Sequence, residues 1–387
     1  IYQQCAYTIV VTNLKKTRKM IKPLKLTLIS LLIITGCQAQ NGGTISEQQL
    51  INKASKIINE LCEKDQFSGT ILIAKGDSIL YESVCGEASK RFHILNNIDT
   101  KFNIGSNNKM FTATAIMQLV EKKHIKLDDR ISKYVDTTWL SKEITDKITI
   151  HQLLTHSSGL GDFFNDDFIK KAKESFRNLE DFKPLVKKET LAFKPGSKVL
   201  YSNTGMLLLG VIIENVSKKN YFDYISENIY EPIDMNNTDC YEMDIPVENL
   251  AIGYSKSENE FKWENNLYKH VIKGGPSGGG FSTVRDLHKF GQSILEKKLL
   301  SEKSFKTLLK IHERTGRNTW ENYGYGYGFI VVEGGDNKIV GHVGGFYGIS
   351  AGFFVSLNDG YIICILSNYE GVAIETSVEL TKLILKM

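Results

Sequence analysis

A serine and a lysine three residues apart, Ser106-Asn-Asn-Lys109, head the run Met110-Phe-Thr-Ala-Thr-Ala-Ile-Met-Gln-Leu-Val120. Spacing i, i+3 puts the hydroxyl and the ammonium on one face of a helix. A helix apolar nearly all round is a buried one, and lysine is almost never buried without a partner. Desolvation favours the neutral amine, which can then take the serine proton. The first turn of a helix also offers N–H groups and the positive end of its dipole to an oxyanion. Together these are the parts for nucleophilic catalysis through an acyl-serine. The plain alternative is an N-cap serine beside a snorkelling lysine.

A second serine competes. Gly275-Pro-Ser277-Gly-Gly279 matches the G-x-S-x-G nucleophile elbow, but that elbow needs a strand before it and a helix after it in a parallel sheet. Here it reads as a glycine-rich loop beside the cleft. His151 and His156, five apart on a predicted helix, are about 140° out of facing and make a poor metal pair. Gly324-Tyr-Gly-Tyr-Gly328 opens a strand rather than a helix, which argues against phosphate cradling.

The elements that must position these residues follow from periodicity. An amphipathic helix covers 46–64. Strands at Gly69–Ala74 and Ser78–Val84 are joined by Lys75-Gly76-Asp77, a hairpin signal. The middle is helical, with helices at Lys109–Lys122, Gly205–Val216, Tyr221–Ile229 and Thr283–Glu296. Strands return at Gly328–Val332, Lys338–Val343, Ser350–Leu357 and Tyr361–Ser367, before a last helix over 373–386. Strands at both ends and helices between imply an α+β fold: one antiparallel sheet with flanking helices and a mostly helical insertion. The missing β-α-β alternation argues against a doubly wound parallel fold.

With 387 residues, 42 % hydrophobic and 24 % charged, the chain has the composition of a globular protein with a sizeable core. Six prolines and no repetitive tract exclude collagen-like architecture. The net +4 is local. Residues 1–37 carry six basic residues and no acid, which leaves 42 basic against 44 acidic residues, a net −2, on 38–387. No basic face invites nucleic acid.

The first forty residues read as an address. The apolar run 26–35 behind a basic flank is too short to span a bilayer, which takes about 20 residues, and fits a signal peptide. Ile34-Thr35-Gly36-Cys37 looks like a bacterial lipobox, cut before Cys37 and acylated there. The expected organisation is an upstream extension at 1–19, a lipoprotein signal peptide at 20–36, a lipid anchor and tether at 37–47, and one domain at 48–387. That places the protein in the bacterial cell envelope, with the domain in the periplasm or at the cell surface. Cys62, Cys85, Cys240 and Cys364 show neither zinc spacing nor a redox pair. An oxidising compartment allows one disulfide, whose pairing spacing leaves open.

Five motifs occur in order: Phe102-Asn-Ile-Gly-Ser106-Asn-Asn-Lys109, Leu153-Leu-Thr-His-Ser-Ser-Gly-Leu160, Lys194-Pro-Gly-Ser-Lys-Val-Leu-Tyr201-Ser-Asn203, Gly278-Gly-Gly-Phe-Ser-Thr-Val-Arg-Asp-Leu287 and Gly341-His342-Val-Gly344-Gly345. The series resembles the serine β-lactamase and penicillin-binding-protein superfamily, nearest to class C β-lactamases, D-Ala-D-Ala carboxypeptidases and their esterase and D-aminopeptidase relatives, over residues 48–385. The resemblance implies a β-lactamase/DD-peptidase-like fold with Ser106 as nucleophile and Lys109 as its base. Tyr201 would carry the proton to the leaving group and help activate the deacylating water. Asn203 would bind the substrate amide carbonyl. His342-Val343-Gly344 stands where these proteins have K-T-G or H-T-G. His342 thereby joins the catalytic set beside Tyr201, whose phenolate a cationic or hydrogen-bonding neighbour would favour. The backbone amides of Ser106 and Gly345 would form the oxyanion hole. No cofactor or metal is implied.

One position departs from the pattern. Val343 cannot offer the hydroxyl that threonine gives to a substrate carboxylate, and neutral His342 supplies no fixed charge. The expectation is poor turnover of penicillins and D-Ala-D-Ala peptides and a preference for esters or neutral amides, improved for carboxylates by Val343→Thr. The partners expected are a small-molecule or peptide substrate, cell-wall peptides among them, and a membrane through Cys37. A different class of function on the same fold is a penicillin-binding sensor without turnover, or a cell-wall-binding lipoprotein.

Overall fold

The computed structural model describes residues 45–257, 262–314 and 323–387. The extension at 1–19, the signal peptide at 20–36, Cys37 and the tether up to residue 44 lie outside them. Helix α1 (Glu47–Glu63) begins where Ser46 closes a capping box: its hydroxyl accepts from the Gln49 N–H, and the Gln49 side chain accepts from the Ser46 N–H. Strands β1 (Gly69–Lys75) and β2 (Ser78–Cys85) form the expected hairpin. A short strand β3 (Phe102–Gly105) leads into helix α2 (Asn108–Glu121). The helical middle carries α3 (Asn203–Ser217) and, after strand β4 (Gly280–Ser282), α4 (Val284–Leu295). Strands β5 (Tyr323–Tyr325), β6 (Ile330–Gly334), β7 (Asn337–Phe346), β8 (Ile349–Ser356) and β9 (Tyr361–Ser367) precede α5 (Val372–Ile384).

The strands form one seven-stranded antiparallel sheet in the order β2-β1-β9-β8-β7-β6-β5. The two ends of the chain meet at β1 and β9, where Ile71 faces Ile365 and Ile73 faces Ile363. Successive side chains point to opposite faces, so the near-continuous apolar runs of β1 and β9 divide between two cores. Ile71, Ile73, Ile363 and Ile365 pack with Leu50, Ala54 and Ile58 of α1 and with Leu380 of α5. Leu72, Ala74, Cys364 and Leu366 pack on the other face with α2 and α4. Burial on both faces explains why these strands read as apolar runs rather than as alternation.

Two features were not expected from sequence. Strand β5 adds an edge to the sheet, and β3 pairs with β4, with Phe102 opposite Ser282 and Gly105 opposite Gly280. Strands of three or four residues are too short for a periodic signal, yet the β3–β4 pair brings the glycine-rich loop 274–280 to the start of α2. Cys62 at the end of α1 and Cys85 at the end of β2 form a disulfide, 23 residues apart. Closing such a loop restricts the unfolded chain by about 3 kcal/mol. Cys240 and Cys364 are buried thiols. No helix among the described residues is long and apolar enough to cross a membrane.

Candidate active site

Ser106 lies in the turn between β3 and α2, and the backbone there depends on glycine. Gly105 adopts φ +51°, and a Cβ on Gly344 would lie 2.0 Å from the Ile104 oxygen and 2.9 Å from the Ser106 nitrogen. A side chain at either position would push β7 away from the serine. Lys109, one turn into α2, is fully buried. Its ammonium nitrogen lies 3.0 Å from Ser106 Oγ and also contacts the Ser277 carbonyl oxygen. Burial brings the Lys109 pKa from 10.5 down to about 7, against the opposing attraction of Asp162. At neutral pH a large share of Lys109 is therefore the free amine, within reach of the serine proton.

Tyr201 and Asn203 stand at the entrance to α3, whose N-cap is Ser202. The Ser202 hydroxyl accepts from the Gly205 N–H at 2.9 Å and donates to the Gly161 carbonyl at 2.7 Å. The Tyr201 ring lies under the Lys109 ammonium, 4.8 Å from nitrogen to ring centroid, and its phenol shares a hydrogen bond with Ser106. Burial raises the Tyr201 pKa above its ordinary value, with the Asp162 carboxylate adding to the effect. Burial thus works against the expected phenolate, since desolvation favours the neutral phenol over it. Asn203 Nδ2 donates to Asp162 Oδ2 at 2.8 Å. Glu189 in turn accepts from the Gly161 N–H at 3.0 Å and from the Thr204 hydroxyl, and its own pKa is raised to about 7 by burial. The loop carrying Asp162 is thereby latched to the start of α3.

His342 on β7 is 2 % exposed, with its ring 6.5 Å from that of Tyr201. Its Nδ1 is 2.6 Å from the Val343 carbonyl oxygen and its Nε2 is 3.1 Å from the Tyr325 hydroxyl. A carbonyl only accepts, so Nδ1 carries the proton and Nε2 accepts from Tyr325. Burial and the nearby Lys109 bring the His342 pKa down to about 3, leaving it neutral. Val343 requires a correction. One residue along the strand, its side chain turns to the other face and packs with the α1–α5 core. It presents its carbonyl to His342 and no side chain beside it. Gly344 and Gly345 lie against the Gly105–Ser106 turn: a Cβ built on Gly105 would be 3.0 Å from the Gly345 nitrogen. That closeness sets the Gly345 backbone nitrogen beside the serine turn.

Ser106, Lys109, Tyr201, His342, Gly344 and Gly345 therefore meet at one place, with Asn203 joined to them through Asp162, while the Val343 side chain turns away. Three participants had not been assigned to the site from sequence. Ser277 offers its carbonyl to Lys109 rather than its hydroxyl to a substrate; its glycine-rich motif was the visible signal. His156 lies beyond the end of the helix Ile150–Leu154, in a left-handed conformation, and not on a helix with His151. Its position in Leu153–Leu160 was the signal. Asp162 gave none.

The sequence matches a Beta-lactamase family model over residues 54–378. Penicillin-binding protein 4* of Bacillus subtilis (strain 168) is 29 % identical over 327 residues, covering 81 % of this chain and 71 % of that one. Such relatives are longer, the match spanning between 65 % and 71 % of their length. The crystal structure of a penicillin-binding protein from Bacillus halodurans superposes with TM-score 0.77 at 29 % identity, over 84 % of this chain and 98 % of that one. A D-stereospecific amidohydrolase from a Streptomyces species shares the fold, with TM-score 0.71 at 23 % identity, over 84 % and 97 %.

Proposed function

Because the chain belongs to the β-lactamase family, we propose that it is a serine hydrolase that cleaves amide or ester bonds through an acyl-enzyme on Ser106. The observation that carries this reading is the buried Lys109 amine, 3.0 Å from Ser106 Oγ and with its pKa near 7. Lys109 takes the serine proton as Oγ attacks the carbonyl carbon, and the amides of Ser106 and Gly345 hold the developing oxyanion. Tyr201, a neutral phenol beside Ser106, gives its proton to the departing amine or alcohol and regains one from the Lys109 ammonium. Water then hydrolyses the acyl-serine with the same groups in reverse.

Neutral esters and amides are the proposed substrates. His342 supports this: it is neutral and has both nitrogens engaged, so it offers no charge to a substrate carboxylate. Acylation of Cys37 and location in the bacterial envelope complete the proposal and rest on the N-terminal sequence. Intact-mass spectrometry over time with benzylpenicillin and with p-nitrophenyl acetate tests the central step, with Ser106→Ala alongside. An acetyl adduct on the wild type alone is expected, with slow or no penicilloyl adduct. Equal labelling of Ser106→Ala would remove the nucleophile from the proposal. A penicilloyl adduct that persists for hours would favour a penicillin-binding sensor over a turning-over hydrolase.

A further inference from the structure

His156 has no place in the chemistry so far, yet it is built into its centre. Its backbone is left-handed at φ +58°, a conformation that few residues other than glycine adopt and that histidine, asparagine and aspartate tolerate best. From there it holds the chain on both sides of Tyr201. The Leu200 N–H donates to the His156 carbonyl at 2.8 Å, and the Ser202 N–H donates to His156 Nδ1 at 3.2 Å. Its ring packs on the Tyr201 ring at 4.4 Å between centroids, with Tyr325 at 4.8 Å. The side chain is 2 % exposed. Because Nδ1 accepts, the proton is on Nε2, a buried donor with no acceptor among the described residues. A strained backbone and an unsatisfied buried donor are both costs that proteins keep at functional sites.

The charged and titratable groups around it are Lys109 on α2, His342 on β7 and the phenols of Tyr201 and Tyr325. Burial holds His156 neutral, and the Lys109 ammonium adds to the effect. An acid–base role for the imidazole itself is thus disfavoured. We infer that His156 is a positioning residue for Tyr201: it grips the backbone on both sides of the tyrosine and packs against its ring, fixing the direction in which the phenol delivers its proton. This rests on the proposed role of Tyr201 as proton donor to the leaving group.

Leaving groups supply the test. p-Nitrophenolate departs without a proton, whereas an ethoxide leaving group needs one. A pair of esters with the same acyl group and these two leaving groups therefore separates misdirected proton transfer from general damage to the site. Tyr201→Phe sets the scale. His156→Phe keeps a ring but strands the Ser202 N–H, and His156→Asn keeps an acceptor and tolerates the left-handed backbone. The ethyl ester should lose about tenfold to a hundredfold in kcat/KM in His156→Phe, and less in His156→Asn. The p-nitrophenyl ester should stay within about threefold in both. If Tyr201→Phe discriminates between the esters but a folded His156→Phe lowers both equally, or neither, or if His156→Asn lowers both equally, the inference is overturned and the proposed chemistry stands. If Tyr201→Phe itself does not discriminate, the proton-donor role of Tyr201 falls, and the inference with it.

Discussion

Both faces of the sheet rest on apolar cores, but only one of them also carries a cluster of buried polar groups. Toward α1 and α5 the contacts are apolar: Leu50, Ala54 and Ile58 meet Ile71, Ile73, Ile363 and Ile365. Toward α2 and α3, beside an apolar core, lies a polar cluster of Lys109, His156, Asn203 and His342, all buried, around the half-buried ring of Tyr201. The first face gains stability from burial. The second gives some of it up, since an amine, two imidazoles and a phenol are taken from water so that their protonation suits the chemistry. At β7 the division falls between neighbours: His342 enters the cleft and Val343 enters the opposite core.

Substitutions on each face should therefore move different quantities. The largest effect is expected for Lys109→Met, which should slow acylation of Ser106 by about 10³-fold or more while making the protein more stable. The sign follows from the pKa. The folded value of about 7 lies below the ordinary 10.5, so between them the unfolded chain binds the extra proton, and wild-type stability rises with pH across that window. Denaturation at pH 6.5 and pH 9 should show the advantage of methionine shrinking as pH rises; a less stable Lys109→Met at both would contradict the division between the faces. Next comes Ile58→Ala on the apolar face, expected to cost about 2–5 kcal/mol in chemical denaturation and to leave kcat/KM of the folded enzyme within about twofold. Smaller still is Asp162→Asn. It removes the attraction that holds the Lys109 pKa up, so the midpoint of the pH–rate profile should move to lower pH, and a shift to higher pH would sink that assignment. The smallest effect is expected for Val343→Thr, within about twofold for esters and carboxylate-bearing substrates alike. A gain of tenfold on benzylpenicillin would return residue 343 to the cleft.

How much of this was legible in the sequence depended on the reach of each signal. Ser106 and Lys109 are one helical turn apart, so their meeting follows from local geometry. The strands were visible as apolar runs, because β1 and β9 are buried on both faces. The same runs did not show which residue meets which core, and so Val343 was placed by analogy with a motif rather than by alternation along β7. His156 and Ser277 lay in quoted motifs, but they act through a backbone angle and a carbonyl that no residue type announces. Asp162 reaches the site through a loop latched by Glu189, Thr204 and Ser202, a long-range arrangement without a periodic trace.

The claim on which the rest depends is that Lys109 is the neutral base for Ser106. It is tested most directly by the rate of Ser106 labelling by an uncharged fluorophosphonate between pH 5 and pH 10, in wild type and in Lys109→Met. The wild-type rate should rise with pH through a midpoint near 7 and level off above it, and Lys109→Met should lose that rise and react slowly throughout. A rate still climbing toward pH 10, or the same midpoint in Lys109→Met, would show that Lys109 is not that base.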